Sequence, residues 1–272
     1  MFGYIALLVP LFFFVYLPIS NVLFGPTLRP AASITQLFNS SLIATNEPLD
    51  CPSHSYNTHV LSLEPLVIYI EDFLSSDESI HLLRISEDKY KPSTVTHGVE
   101  TSVQPKIRQS EVALLDRDDV VRCIEHRARS FQGWRPDLHI ERLRTQRYGV
   151  GGHYTHHYDW SGASRDADRV STFMVYVDAD CEGGGTEFPR IAMPNVADEK
   201  WCKFLECRGN SSQIKDQGRK MGVIFKPLKG NAVFWENLRP DGRGYEETWH
   251  AALPLESGWK VGLNIWSWGP AR

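Results

Sequence analysis

The stretch YGVGGHYTHHYD, residues 148–159, places a glycine-rich bend before a segment whose aromatic and threonine residues are typical of a β-strand. Side chains two positions apart on a strand point to the same side. If residues 154–160 are extended, His157 and Asp159 therefore project together. Two imidazoles and one carboxylate can occupy one face of a transition-metal ion and leave other positions open. The stretch thus indicates a metal site that requires a further histidine.

That further histidine and a candidate cation lie downstream. His250 belongs to a strand-like run at 248–251, and a turn over residues 254–258 precedes Lys260. In the strand that follows, Lys260 shares one face with Gly262, Asn264, Trp266 and Trp268. A lysine on the same face as two tryptophans is expected to be buried, and a buried ammonium needs an anionic partner. A carboxylate of a 2-oxoacid would satisfy it.

Each of these motifs is weak by itself. A chain with ten histidines produces an H-x-D triplet by chance, and His156 is a rival ligand that has no acid two residues later. An isolated His250 is more often a hydrogen-bonded core or surface histidine, and an isolated Lys260 is more often solvated. The prediction therefore depends on the ordered set of residues, with each member on a strand-like segment.

At this point the chain resembles the catalytic domain of the prolyl 4-hydroxylases, which are Fe(II)/2-oxoglutarate dioxygenases. The resemblance covers roughly residues 60–268. Five motifs occur in the order of that family: YGVGGHYTHHYD at 148–159, RVSTFMVY at 169–176, GGGTEFP at 183–189, KGNAVFWENL at 229–238, and His250 followed by Lys260.

The resemblance implies an α+β domain built as a double-stranded β-helix (jelly roll) with supporting N-terminal helices. The sequence agrees independently, because short strand-like runs separated by glycine and proline turns recur over about residues 142–268. Two helices are predicted before them. One is capped by Ser75 or Ser76 and runs to about Tyr90, and the other spans residues 116–130.

Carried over residue by residue, the resemblance implies that His157, Asp159 and His250 bind Fe(II) and that Lys260 pairs with the distal carboxylate of 2-oxoglutarate. The resemblance also implies that Tyr148 and Thr186 hydrogen-bond the co-substrate. It places three further residues near the substrate groove: Tyr154, Arg169 and Trp235. For these three, core packing or an ordinary surface arginine is the alternative.

The implied reaction uses O2, decarboxylates 2-oxoglutarate to succinate and hydroxylates prolyl residues in peptides or secreted proteins, with L-ascorbate rescuing oxidised iron. Three alternatives stay open: the same chemistry on free proline or a small natural product, a non-enzymatic jelly-roll binding module, and a zinc hydrolase. Ala252 stands where many family members have glycine, and a polar insertion at 191–220 follows the glycine-rich motif. Both features limit the assignment of the substrate.

The N-terminus predicts a location. Residues 2–24 contain no charged side chain, which favours a transmembrane signal-anchor at 1–24, followed by a flexible linker at 25–60 and the dioxygenase domain at 61–272. A cleaved signal peptide is the rival interpretation. We expect a short single-domain enzyme in the membrane of the endoplasmic reticulum or another secretory compartment, with its domain in the lumen, or secreted if the segment is cleaved. Glycosylation sequons begin at Asn39 and Asn210.

Cysteines and net charge add two expectations. Cys202 could pair with Cys207, or one of them with Cys181, whereas Cys123 is predicted to be a buried thiol on its helix. The formal net charge of −4 gives no reason to expect nucleic-acid binding.

Overall fold

The computed structural model describes residues 49–97, 100–162, 166–194, 199–207 and 222–271. The predicted signal-anchor at 1–24, the greater part of the linker and the two sequon asparagines lie outside these residues. Within the described ranges, no helix is both long enough and apolar enough to cross a bilayer.

The described residues form two α-helices and sixteen β-strands, which occur in the chain order β1–β2–α1–β3 to β7–α2–β8 to β16. The helices are α1 (Ser76–Ser86) and α2 (Asp119–Phe131). The strands are β1 (Asn57–Leu63), β2 (Leu66–Glu71), β3 (Lys91–Pro92), β4 (Val95–His97), β5 (Glu100–Ser102), β6 (Arg108–Gln109), β7 (Glu111–Leu114), β8 (His139–Ile140), β9 (Arg144–Tyr148), β10 (His153–His157), β11 (Asp168–Gly183), β12 (Thr186–Phe188), β13 (Val223–Phe225), β14 (Ala232–Glu236), β15 (His250–Ala252) and β16 (Leu255–Gly269).

Two antiparallel sheets form the frame of the domain. The larger has nine strands in the order β1-β2-β14-β11-β16-β9-β7-β3, with β8 pairing to β16. The smaller has five strands in the order β13-β12-β15-β10-β6, and β4 and β5 form a separate pair. Two facing antiparallel sheets with both helices on one side are the predicted double-stranded β-helix. β1 begins at Asn57, so the sheet starts before residue 61.

The larger sheet is buried on both faces, because alternate side chains of its strands pack into two different cores. On β11, Phe173 and Val175 pack with the helices in one core, whereas Met174 and Tyr176 point into a second core between the two sheets. The second core also contains Phe188 from the smaller sheet. Because successive side chains of a strand point to opposite faces, the continuously apolar strands of the larger sheet contribute to both cores.

The helices form where their capping residues predict. Ser75 is the N-cap of α1, and its hydroxyl accepts a hydrogen bond from the Glu78 backbone (3.2 Å) while the Glu78 carboxylate accepts one from the Ser75 backbone (2.9 Å). This reciprocal capping box satisfies two otherwise unpaired N–H groups. Asp118 caps α2, and Arg127 of α2 donates to Glu78 at 2.7 Å. The two helices are thereby held together at the outer core.

The disulfides correct one prediction and confirm one of two alternatives. Cys123 was predicted to be a buried thiol, but it forms a disulfide with Cys51, which precedes β1. The sequence could not show this, because the two residues are separated by 72 positions and meet only when the segment before β1 packs on α2, where the rings of Tyr56 and Phe131 lie 6.0 Å apart. Cys202 pairs with Cys207, and Cys181 is free.

The insertion at 191–220 contributes to the core in its described part. Trp201, Phe204 and Leu205 are buried in the core between the sheets, and the ring of Phe204 stacks on that of Tyr69 with centroids 4.3 Å apart. The segment is polar in composition but its few apolar residues cover the end of the sheets.

We predict that replacing Cys51 with serine lowers the free energy of unfolding by about 4 kcal/mol, because a crosslink that closes a long loop restricts the unfolded chain. Urea denaturation of the oxidised protein measures this change. The matched control is Cys181→Ser, which removes a free thiol and should leave the midpoint almost unchanged. Equal midpoints for both variants would contradict the prediction.

Candidate functional site

The predicted metal ligands converge at the edge between the two sheets. One ligand atom from each of His157, Asp159 and His250 lies within 4.8 Å of the other two. His157 on β10 is paired directly opposite His250 on β15, so the ladder of the smaller sheet brings both imidazoles together. Nε2 of His157 lies 3.7 Å from Oδ1 of Asp159, and Nε2 of His250 lies 3.9 Å from Oδ2. The structure thus forms the predicted two-histidine, one-carboxylate group.

Backbone carbonyl groups orient both imidazoles. Nδ1 of His157 donates to the carbonyl oxygen of Thr155, and Nδ1 of His250 donates to that of Thr248, each at 2.9 Å. A carbonyl can only accept, so the proton of each ring resides on Nδ1 and the lone pair of Nε2 faces Asp159. Burial, reinforced by the neighbouring imidazole of His250, also holds the pKa of His157 well below its usual value. Neutral imidazole is the form that binds metals.

Asp159 lies just beyond the end of β10, and a buried chain of hydrogen bonds fixes its carboxylate. Thr172 on β11 donates to Oδ2 of Asp159 at 2.9 Å, and Asn237 donates to the same Thr172 hydroxyl at 2.9 Å. Trp235 donates in turn to the Asn237 side-chain oxygen at 2.8 Å. The larger sheet therefore positions the ligand that the smaller sheet does not hold.

The charge state of Asp159 follows from its neighbours. Burial opposes ionisation, but the attraction to a proton on His250 or His157 and to the permanent charge of the Arg169 guanidinium outweighs it and lowers the pKa of Asp159. The carboxyl group is thus ionised at neutral pH and available as an anionic ligand.

Lys260 is a buried cation without a carboxylate partner in the described part of the chain. Its side chain is 0% exposed, and its ammonium donates to the carbonyl oxygen of Gly184 and lies 4.9 Å from the centre of the Tyr148 ring. Burial lowers the pKa of Lys260 to about 8. Since a buried cation is costly without a counter-charge, this position suits the carboxylate of a ligand.

The two predicted co-substrate residues flank the same cavity. Tyr148 on β9 is paired opposite Lys260, and Thr186 accepts a hydrogen bond from the buried Tyr176 hydroxyl at 2.8 Å. Its own hydroxyl proton therefore remains available for a ligand. Tyr148 and Thr186 line one cavity together with His157 and His250. The two predicted co-substrate residues thus share one space with both imidazole ligands, and the Lys260 ammonium lies beside Tyr148.

The three predicted groove residues occupy different positions. The ring of Tyr154 stacks on that of His157, with centroids 3.7 Å apart. Trp235 is 1% exposed and packs edge-on against His250, in addition to its bond to Asn237. Arg169 lies beside the metal site and its guanidinium covers the Trp266 ring at 3.7 Å. The structure brings all three to the site, where Trp235 packs against the ligand His250 and Arg169 donates to the backbone carbonyl of Asp159 at 3.4 Å.

One part of the site was missed by sequence reasoning. Glu141 accepts hydrogen bonds from Arg169 at 3.0 Å, from Arg144 at 2.7 Å and from Trp268 at 2.8 Å, and this cluster surrounds Trp266. The burial of Glu141 opposes ionisation, but Arg169 and Arg144 hold its pKa below the usual value. Arg144 three residues after Glu141 was the available signal, but only the fold joins this pair to Arg169.

The residues present fit Fe(II) and 2-oxoglutarate. The neutral imidazoles and the ionised carboxylate supply the donor set of a non-haem Fe(II) site, and the unpaired ammonium of Lys260 supplies a partner for a second carboxylate. The arrangement defines the class of protein: an oxygen-dependent iron enzyme with a 2-oxoacid co-substrate.

Comparison with known proteins agrees with this class. The sequence profile of the 2OG-Fe(II) oxygenase superfamily matches residues 143–268. Probable prolyl 4-hydroxylase 3 of Arabidopsis thaliana is 29% identical over 217 residues, which cover 77% of this chain and 71% of that protein. Prolyl 4-hydroxylase subunit alpha-3 of Homo sapiens is 28% identical over 220 residues, covering 76% of this chain and 34% of that protein.

A solved structure agrees. The viral collagen prolyl hydroxylase from Paramecium Bursaria Chlorella virus-1, in its 2OG complex, superposes with a TM-score of 0.54 and 26% identity, covering 75% of this chain and 96% of that chain. The protein is a 2-oxoglutarate/Fe(II) dioxygenase. Over about three quarters of its length, the chain is similar to prolyl hydroxylases.

We predict that Thr172→Val weakens metal binding by about 10- to 100-fold, because the carboxylate of Asp159 loses its donor while the shape of the side chain is kept. Calorimetric titration with Mn(II) measures the affinity. Thr172→Ser is the matched control, since it keeps the hydroxyl and should bind like the parent. Unchanged affinity of the valine variant would show that the hydrogen bond does not support the site.

The lowered pKa of Lys260 predicts a pH dependence of co-substrate binding. Without ligand, the ammonium loses its proton as pH rises through about 8, and the dianion of 2-oxoglutarate requires the protonated form. Affinity should therefore be constant below this pH and fall by up to about tenfold per unit above it. Calorimetry with Mn(II) across this range measures the effect. A Lys260→Arg variant keeps its charge and should lose the dependence; an identical decline would rule out Lys260 as the cause.

Proposed function

We propose that this dioxygenase hydroxylates prolyl residues within peptides or secreted proteins and converts 2-oxoglutarate to succinate. The observation that carries the proposal is the metal-ligand group of His157, Asp159 and His250 next to a cavity that both histidines line together with Tyr148 and Thr186. The buried ammonium of Lys260, which has no carboxylate partner among the described residues, lies 4.9 Å from the Tyr148 ring. The relatives described above are prolyl 4-hydroxylases of plant and human origin and a viral collagen prolyl hydroxylase, and they support proline as the target.

The chain's own groups divide the work of the reaction. When bound, Fe(II) and 2-oxoglutarate supply the oxidising chemistry that uses O2 to replace a C–H hydrogen by a hydroxyl group. His157, His250 and Asp159 hold the metal, with their Nε2 lone pairs and carboxylate already oriented. Lys260 pairs with the distal carboxylate of the co-substrate, and the Thr186 hydroxyl donates beside it. Orientation in advance removes the need for reorganisation during the reaction.

Aromatic side chains exclude water from this site. The ring of Trp235 packs against His250 with centroids 4.8 Å apart, and the ring of Phe188 stacks on the same imidazole at 5.3 Å. Tyr154 covers His157. A water-poor site strengthens the pairing between Lys260 and a carboxylate and protects a reactive centre from side reactions.

The cluster around Trp266 favours a peptide over free proline. Arg169 and Arg144 both lie over the Trp266 ring, at 3.7 Å and 5.0 Å, and Glu141 fixes both guanidinium groups. The two guanidinium groups, which cover the buried Trp266 ring, offer a rigid cationic surface beside the metal site that can contact the amide groups on either side of a proline ring. Free proline carries two charges of its own and would leave this surface largely unused. A small natural product remains the second candidate substrate.

For location and accessory factors, we propose an oxidising secretory compartment and L-ascorbate as the reductant that restores oxidised iron. The disulfides Cys51–Cys123 and Cys202–Cys207 support the compartment, because such bonds are rare in reducing cytosol. The uncharged residues 2–24 support membrane attachment.

Succinate formation tests the proposed function. We expect the purified protein with Fe(II), 2-oxoglutarate and ascorbate to produce succinate faster with proline-rich peptides than with free proline, and the peptide mass to rise by one oxygen atom. His157→Ala should abolish both signals, because it removes a metal ligand. His156→Ala is the matched control, since His156 points away from the site and bonds to Glu187 at 2.8 Å.

The outcomes separate the candidates. Stimulation by free proline alone would replace the peptide by a small substrate. An absence of succinate together with an absence of metal binding would contradict the enzymatic function and leave a jelly-roll binding module.

A further inference from the structure

A buried amide faces the cavity without a hydrogen-bond partner. Gln146 on β9 is 1% exposed, and its Nε2 forms no hydrogen bond within the described part of the chain. The residue lines the same cavity as His157, His250, Tyr148 and Thr186. An amide that gives up water without gaining a partner destabilises the fold, so a ligand that fills the cavity is the natural acceptor for its N–H group.

The register of the sheet places this amide at a defined distance from Lys260. Tyr148 is paired opposite Lys260, and Gln146 is paired opposite Gly262 on the neighbouring strand. The same face of β9 therefore carries Tyr148 at the lysine and Gln146 two residues away, about 7 Å along the strand. This separation resembles the span of the five-carbon chain of 2-oxoglutarate.

Gly262 leaves room for the Met174 side chain beside the amide. A Cβ atom at this position would lie 2.5 Å from the end of the Met174 side chain and 3.8 Å from the amide oxygen of Gln146. Glycine at this position therefore lets the thioether of Met174, which also lines the cavity, lie beside Gln146. Because the Met174 side chain is unbranched and flexible, its end can shift to admit a dicarboxylate that extends from Lys260 towards the metal ligands.

We propose that Nε2 of Gln146 donates a hydrogen bond to the metal-side carboxylate of 2-oxoglutarate, so that Lys260 and Gln146 bind opposite ends of the co-substrate. This inference rests on the proposed function, since it requires 2-oxoglutarate as the ligand. The distance between Gln146 and Lys260 thereby selects a dicarboxylate of this length, and Lys260 supplies the positive charge that pairs with its distal carboxylate.

Binding of two ligands to the full-length protein, loaded with Mn(II) and without a prolyl substrate, tests the assignment. 2-Oxoglutarate has both carboxylate ends, whereas oxalate has only the end that chelates a metal. Gln146→Met keeps the side-chain length and removes the amide. We expect it to weaken both ligands by the same factor of about 10- to 100-fold, the range for hydrogen bonds to charged groups. Lys260→Met should weaken 2-oxoglutarate alone.

Controls isolate the amide. Gln109→Met makes the same substitution at an exposed glutamine and should leave both affinities unchanged. If Gln146→Met lowers the thermal unfolding midpoint so far that it cannot be titrated, Gln146→Glu replaces it. That variant also lacks the donor and places a negative charge beside the ligand, so it should weaken both ligands as well.

Two results would overturn the assignment. Parental affinity of Gln146→Met for both ligands would show that the amide does not touch the co-substrate. A loss confined to 2-oxoglutarate would place the contact away from the metal-side carboxylate. Failure of the parent protein to bind 2-oxoglutarate would instead contradict the proposed function, so the two failures are distinguishable.

Discussion

The unpaired charge of Lys260 is the constraint on which the site depends. The side chain is 0% exposed and no carboxylate of the described residues neutralises it, so the folded protein pays a desolvation cost that only a bound anion recovers. Such a position is stable only if the surrounding sheets are rigid and well packed. The two apolar cores on either side of the larger sheet supply that rigidity.

The two sheets contribute different parts of the metal site. The smaller sheet brings His157 opposite His250 through strand pairing, but Asp159 lies beyond the end of β10 and has no such support. The larger sheet completes the site from the other side, because Thr172 and Asn237 hold the carboxylate in place. A shift of one sheet against the other would therefore change the metal geometry directly, and the packing between the sheets serves the site as well as stability.

Charged side chains are held together by ion pairs next to the metal ligand Asp159. Glu141 joins Arg144 and Arg169 over the ring of Trp266. Multiple hydrogen bonds to one carboxylate fix long side chains that would otherwise be disordered. Arg169 also contributes to the lowered pKa of Asp159, so its positive charge supports the ionised state of a metal ligand.

Local spacing, capping residues and strand periodicity were enough to predict the candidate metal triad, the burial of Lys260 and both helices, and the resemblance to a known family added the jelly-roll class. Tertiary structure alone decided which groups support them. Cys51 meets Cys123, Thr172 reaches Asp159, and Glu141 meets Arg169 only through contacts between distant segments. The physical reason is that a local pattern fixes the direction of a side chain along its own strand or helix, whereas its partner is chosen by the pairing and packing of other strands.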